Sequence, residues 1–192
     1  MAGAAHVTSE VPIKRSQIPT AGTVVERSNV FVGYSHRDRD LFGELQIQLK
    51  PLQRAWMLDL WDDSRVLAGV TGRRALVRAL ESAKLVVLLI SPGFFSSPFI
   101  TAHGLPALLG GLGREKSEVM CLYVRPSMEA FETFVFRGGN GVAHQLRLTD
   151  FHSLNDPTRP LAAFDMTDRS RVLAGAGAEI ISAVRPDLLP VA

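Results

Sequence analysis

Leu85-Val86-Val87-Leu88-Leu89-Ile90, closed by Ser91-Pro92-Gly93, is the stretch on which the fold turns. Six apolar residues without a polar alternation read as a strand covered on both faces, the pattern of a central strand in a parallel sheet sandwiched by helices. On either side lie helical stripes, Leu76, Ala79, Leu80 and Ala83 before it and Leu105, Leu108, Leu109 and Leu112 after it. It is also the longest greasy run and falls far short of the roughly 18 apolar residues of a membrane span, so no membrane association is expected.

The same alternation continues outward. Val30 to Tyr34 reads as a first strand, followed by Leu41, Leu45, Leu49 and Leu52 on one helix face, with Pro51 expected to end or kink that helix. Met57 to Trp61 is a second strand, and Asp62-Asp63-Ser64-Arg65 through Gly69 a loop. Val119 to Val124 is a fourth strand, ended by Arg125-Pro126. Leu161 to Phe164 is expected to be a fifth, and Thr167 or Asp168 to cap a last helix with Leu173, Ala176, Ile180 and Val184 inward and Pro186 beyond its end. Gly175 and Gly177 inside that helix carry no signal of their own. The stretch from Met128 to Asp156 has no clear period, and Arg137-Gly138-Gly139-Asn140-Gly141 within it reads as a loop. Strands alternating with helices predict right-handed crossovers and a doubly wound parallel sheet, whose ligands sit beyond the carboxyl ends of the strands.

Composition narrows the function classes. With 46% hydrophobic and 21% charged residues among 192, the chain has the make-up of one compact domain. Residues 1–28 are small, polar and broken by Pro12, Pro19 and Gly22, which reads as a flexible leader, with the domain over 29–185 and a short tail over 186–192. Lys and Arg total 21 against 19 Asp and Glu, too weak a field to argue for nucleic acid. No secretory signal is legible and the single Cys121 cannot form an internal disulfide, so a cytoplasmic protein is expected. No cluster of His, Cys and Asp has metal-ligand spacing, so no metal is expected either.

The residues at the expected strand ends discriminate further: Tyr34-Ser35-His36, Trp61-Asp62-Asp63, Ser91-Pro92 and Arg125-Pro126. A phosphoacceptor receiver needs acidic residues directly after its first strand and an Asp after its third, and here those places read Tyr-Ser-His and Ser-Pro. A dinucleotide fold needs Gly-x-Gly-x-x-Gly after the first strand, which is absent.

Three motifs resemble a known family. Val30-Phe-Val-Gly-Tyr-Ser-His-Arg-Asp38 resembles the opening strand and loop of the Toll/interleukin-1 receptor (TIR) domain in its bacterial form. Leu58-Asp-Leu-Trp-Asp-Asp-Ser-Arg-Val-Leu-Ala-Gly69 is similar to its second strand and BB loop, and Ala79 through Ile100 to its next helix and central strand. The resemblance covers roughly residues 29–112 and extends less sharply to about 184. It implies a flavodoxin-like, five-stranded parallel sheet with helices on both faces. It also implies a signalling or immune-effector role in bacterial defence, through assembly of TIR domains with one another or with further copies of the chain. BB-loop residues Asp62, Asp63, Ser64, Arg65, Gly69 and Thr71 would mediate that assembly. No cofactor is required; NAD+ is implied as a ligand or as the substrate of an NAD+ nucleosidase.

At one position the chain departs from the family. The family's pattern Ser-x-Phe-x-x-x-x-Glu-Leu-Pro places a Glu against the ribose, where it stabilises the oxocarbenium-like cation formed as the nicotinamide bond breaks. This chain reads Ser97-Pro-Phe-Ile-Thr-Ala-His103-Gly104-Leu105-Pro106, and no Asp or Glu lies between Glu81 and Glu115. Gly104 therefore stands where the catalytic Glu is expected, and the early helix loses up to about 1 kcal/mol relative to Ala with no evident structural gain. Tyr34, Ser35, Arg65, Ser91, Phe94 and His103 are the candidates for contacting nucleotide. All but Tyr34 also have an ordinary reading: the serines as turn formers, Arg65 and His103 as solvated groups, Phe94 with Trp61, Phe95 and Phe99 as core. Asp62, Asp63 or a carboxylate from a neighbouring subunit would have to replace the Glu if the chain turned over NAD+.

Overall fold

The computed structural model of the chain describes residues 29–55, 57–62, 70–97, 118–137 and 143–189. Five strands form one parallel sheet: β1 (Asn29–Tyr34), β2 (Leu58–Asp62), β3 (Ala83–Ile90), β4 (Glu118–Tyr123) and, following a separate hairpin of β5 (Thr133–Arg137) and β6 (Ala143–Arg147), the two-residue β7 (His152–Ser153). The order across the sheet is β2-β1-β3-β4-β7, with every pair parallel. The strand order reverses between β1 and β3, which makes the carboxyl ends of these two strands the switch point of the sheet. Helices α1 (Arg39–Gln48), α2 (Lys50–Arg54), α3 (Val70–Ser82), α4 (Pro92–Ser96) and α5 (Met166–Val184) complete the α/β fold.

β3 is central, and its side chains alternate between two cores. Leu85, Val87 and Leu89 face one, with Val30, Val32, Leu122 and the apolar sides of α1 and α5; Val86, Leu88 and Ile90 face the other, with Phe31, Leu76, Phe94 and Cys121. The first core uses the expected stripes, Leu41, Leu45, Leu49 and Leu52 from one end of the chain and Leu173, Ala176, Ile180 and Val184 from the other. Helix α1 stops at Leu49, and Pro51 sits in the first turn of α2, where its missing N–H costs no hydrogen bond.

Three expectations are corrected. Leu161 to Phe164 is not a strand: Leu161–Ala163 is a 3-10 turn in which Ala163 N–H reaches the Pro160 carbonyl at 2.9 Å, and Pro160 has no N–H to give a ladder. The fifth strand is β7, two polar residues too short to show a period, and its pairing is extended by a side chain. The Asn155 amide accepts from Tyr123 N–H at 2.8 Å and donates to the Tyr123 carbonyl at 3.0 Å, as a neighbouring strand would. The last helix is capped by Asp165, which accepts from Asp168 N–H at 2.9 Å, so it starts two or three residues earlier than Thr167 or Asp168 would place it. Gly177 also carries a signal: a Cβ there would lie 2.7 Å from Gln48 Cβ, so its absence lets α5 press against α1.

The expected leader over 1–28, residues 190–192 of the expected tail and the expected helix through Leu105 to Leu112 lie outside the described residues. Among the described residues, no helix is long and apolar enough to cross a membrane.

Candidate functional site

The carboxyl ends of β1, β3 and β4 converge on one buried carboxylate. Asp38 follows β1 by four residues, at the end of a 3-10 turn, His36–Asp38, that Ser35 caps by accepting Arg37 N–H. By position Asp38 is the cap residue of α1, yet its side chain makes no cap hydrogen bond. It turns inward instead, with 1% of it exposed, and accepts from the Ser91 hydroxyl at the end of β3 and from Arg125 Nε, just past β4, at 2.8 Å. A carboxylate taken this far out of water persists only when charge-assisted hydrogen bonds replace its hydration, and here two do so.

Arg125 reaches a second carboxylate on its outer side. Its Nη2 lies 2.9 Å from both oxygens of Asp40, in the first turn of α1. Burial opposes ionisation of Asp40, but the Leu41 backbone N–H and the Arg125 guanidinium outweigh it and hold the carboxyl below its usual range. The Asp38 hydrogen bond, followed by that of Asp40, in turn raises the affinity of Arg125 for its proton above the ordinary value, against the opposing effect of burial.

Ser91 and Gly93 tie helix α4 to this centre. The Ser91 oxygen that donates to Asp38 also accepts Phe94 N–H at 3.0 Å, capping α4. A Cβ on Gly93 would meet Ser35 Oγ at 3.0 Å and Ser35 Cβ at 3.2 Å, so the absence of a side chain lets the start of α4 close on the turn after β1. Beyond it, Phe94 meets Phe95 edge-on, and Phe95 stacks on Phe134 of the hairpin at 5.5 Å between centroids.

The structure thus brings together three of the expected nucleotide candidates at the switch point, Ser35, Ser91 and Phe94, all buried. Tyr34 is buried beside them and stacks on Phe42 at 4.1 Å. Asp62 ends β2 opposite Tyr34, and Thr71 lies in α3. Asp63, Ser64, Arg65, Gly69, His103 and Gly104 lie outside the described residues. Cys121 is fully buried in the second core, and that burial pushes its thiol up to about 12. Among the described residues, no group of three His, Cys, Asp or Glu side chains is placed to hold a metal ion. Sequence reasoning missed Asp38, Asp40 and Arg125 as site residues. Asp38 resembles an ordinary helix cap, and its partners stand 53 and 87 positions away.

A family model described as the TIR domain matches residues 30–162. Over 71 residues the chain is 34% identical to "Uncharacterized protein y4lF" of Sinorhizobium fredii (strain NBRC 101917 / NGR234). That stretch is 37% of this chain and 22% of the relative's length.

Proposed function

Because the chain belongs to the TIR-domain family, we propose that it is a signalling and immune-effector module of bacterial defence that acts by TIR–TIR assembly and holds NAD+ without hydrolysing it. Assembly, with further copies of the chain or with other TIR domains, runs through the BB loop and the element ends that flank it, from Asp62 at the end of β2 to Thr71 in the first turn of α3. The nucleotide sits over the carboxyl ends of β1 and β3, with Arg65 and His103 as its contacts and Tyr34, Ser35, Ser91 and Phe94 as the buried floor beneath it. One observation carries the assignment of binding over turnover: Gly104 stands in the place of the family's Glu, in a stretch from Ser82 to Arg114 without a single carboxylate. Breaking the bond between nicotinamide and ribose builds positive charge on the ribose, and a site without a carboxylate there forgoes the electrostatic stabilisation that makes the step fast.

The test is nicotinamide release from NAD+ over a wide protein concentration range, for the chain as it stands and for Gly104→Glu, with self-association followed by sedimentation. A silent chain that self-associates, beside a variant that turns over, supports the proposal. Release of nicotinamide by the unaltered chain overturns it in favour of an NAD+ glycohydrolase or cyclase that uses another carboxylate. A rate per molecule that rises with concentration would then assign that carboxylate to a neighbouring subunit.

A further inference from the structure

Arg125 crosses the mouth of the sheet and has two carboxylate partners of opposite character. Asp38 is 1% exposed, whereas Asp40 is 64% exposed. Losing Arg125 would leave the buried Asp38 with the Ser91 hydroxyl as its remaining side-chain donor among the described residues, so the Arg125–Asp38 contact is the costlier of the two to break. Asp40 is free to leave: its carboxylate stays hydrated, and it remains in the first turn of α1, where a negative charge is favoured whether or not Arg125 is near. Both Asp40 oxygens lie on the one nitrogen Nη2, while Asp38 holds Nε, so when Asp40 leaves, Nη2 can donate to a phosphoryl oxygen without disturbing the inner bond. The whole arrangement stands at the carboxyl end of a parallel sheet beside its switch point, where such sheets take their ligands.

We propose that Arg125 is a phosphoryl-binding residue at the sheet mouth and that Asp40 is its built-in competitor, an internal anion that a phosphate or diphosphate group of the ligand displaces. Asp38 holds the guanidinium in place while its outer edge changes partner. The site is therefore closed when empty, and its affinity for phosphate-bearing ligands is set below what Arg125 alone would give. This inference rests on the reading of the mouth as a nucleotide site and supplies that reading with a contact for the diphosphate.

Calorimetric titrations with NAD+, inorganic pyrophosphate and nicotinamide riboside, which carries no phosphate, test it on four proteins: unaltered, Asp40→Asn, Arg125→Gln and the double variant. Removing the competitor is expected to tighten NAD+ and pyrophosphate by roughly two- to fivefold, the equilibrium worth of an exposed ion pair, and to leave the riboside unchanged. The gain should vanish when Arg125 is also Gln, which separates displacement at Arg125 from a general weakening of negative potential. If Arg125→Gln folds poorly, Arg125→Lys, which keeps the charge but not the separate Nε and Nη2 donors, is expected to lose most of the gain. Pyrophosphate binding that follows this pattern while NAD+ does not bind upholds the anion site and overturns the NAD+ reading. An unchanged or weakened affinity in Asp40→Asn, an equal gain without Arg125, or no binding of either phosphate compound overturns the inference.

Discussion

Ser91 donates its hydroxyl hydrogen to Asp38, 53 positions earlier in the chain, and with the same oxygen accepts the backbone N–H of Phe94. One atom thereby joins the end of the central strand, the turn after the first strand and the start of α4. Arg125 adds the end of β4 through its own bond to Asp38. Four elements meet at a single carboxylate, and the expected behaviour of the variants follows from which of its bonds is cut.

Arg125→Gln is expected to destabilise the fold by about 3 kcal/mol, because Asp38 keeps its burial and loses its charge partner. Asp40→Asn should cost less than about 1 kcal/mol, since both groups of that pair are solvated. Urea denaturation of the two variants side by side checks the ordering. Equal losses would mean that burial of Asp38 does not govern the network.

The two glycines of α5 should respond to alanine in opposite directions. Gly175 has nothing within 4 Å of its missing Cβ, so Gly175→Ala is expected to gain roughly 0.5–1 kcal/mol from helix propensity. At Gly177 the new methyl would meet Gln48 Cβ at 2.7 Å, and Gly177→Ala is expected to lose about 1–3 kcal/mol as α1 and α5 are pushed apart. Thermal melts of both variants decide the matter.

Gly93→Ala is expected to cost about 1–3 kcal/mol, because Ser35 is itself buried and has little room to give way. Pairing it with Ser35→Gly, which removes the Cβ 3.2 Å away, should recover part of the loss. An unfolding midpoint for the double variant no higher than for Gly93→Ala alone would place the strain elsewhere.

Acid should weaken the outer ion pair in a defined order. Asp40 has a folded-state pKa below its ordinary 3.8, so its share of stability is complete above that value. It is lost as pH falls through the lower folded-state value, when Asp40 takes up a proton and Arg125 loses its outer partner. The difference in denaturation midpoint between the unaltered chain and Asp40→Asn is therefore expected to be flat above about pH 5 and to close below pH 4. A gap that persists to pH 2 would show that the carboxylate charge is not what Asp40 contributes.

The layered sheet was legible because its signals are local. The six apolar residues from Leu85 to Ile90 needed covering on both faces, and the stripes of α1 and α5 repeat every three or four positions whatever lies opposite them. Where that local signal fades, reading failed. His152 and Ser153 form a strand only because Cys121 and Met120 offer an edge, and Leu161 to Phe164 looks like a strand until Pro160 turns it. The hairpin of β5 and β6 was hidden for a similar reason: one of its strands contributes Phe134 to the second core and leaves Val135 outside, a pattern too short to separate from loop.

By itself the sequence determined the family and the doubly wound sheet, since both rest on residues close together in the chain. Only the tertiary structure decided what Asp38, Asp40, Ser91 and Arg125 do. Their chemistry depends on which is buried and which reaches which, and residues up to 87 positions apart become partners only once parallel pairing sets the ends of β1, β3 and β4 side by side.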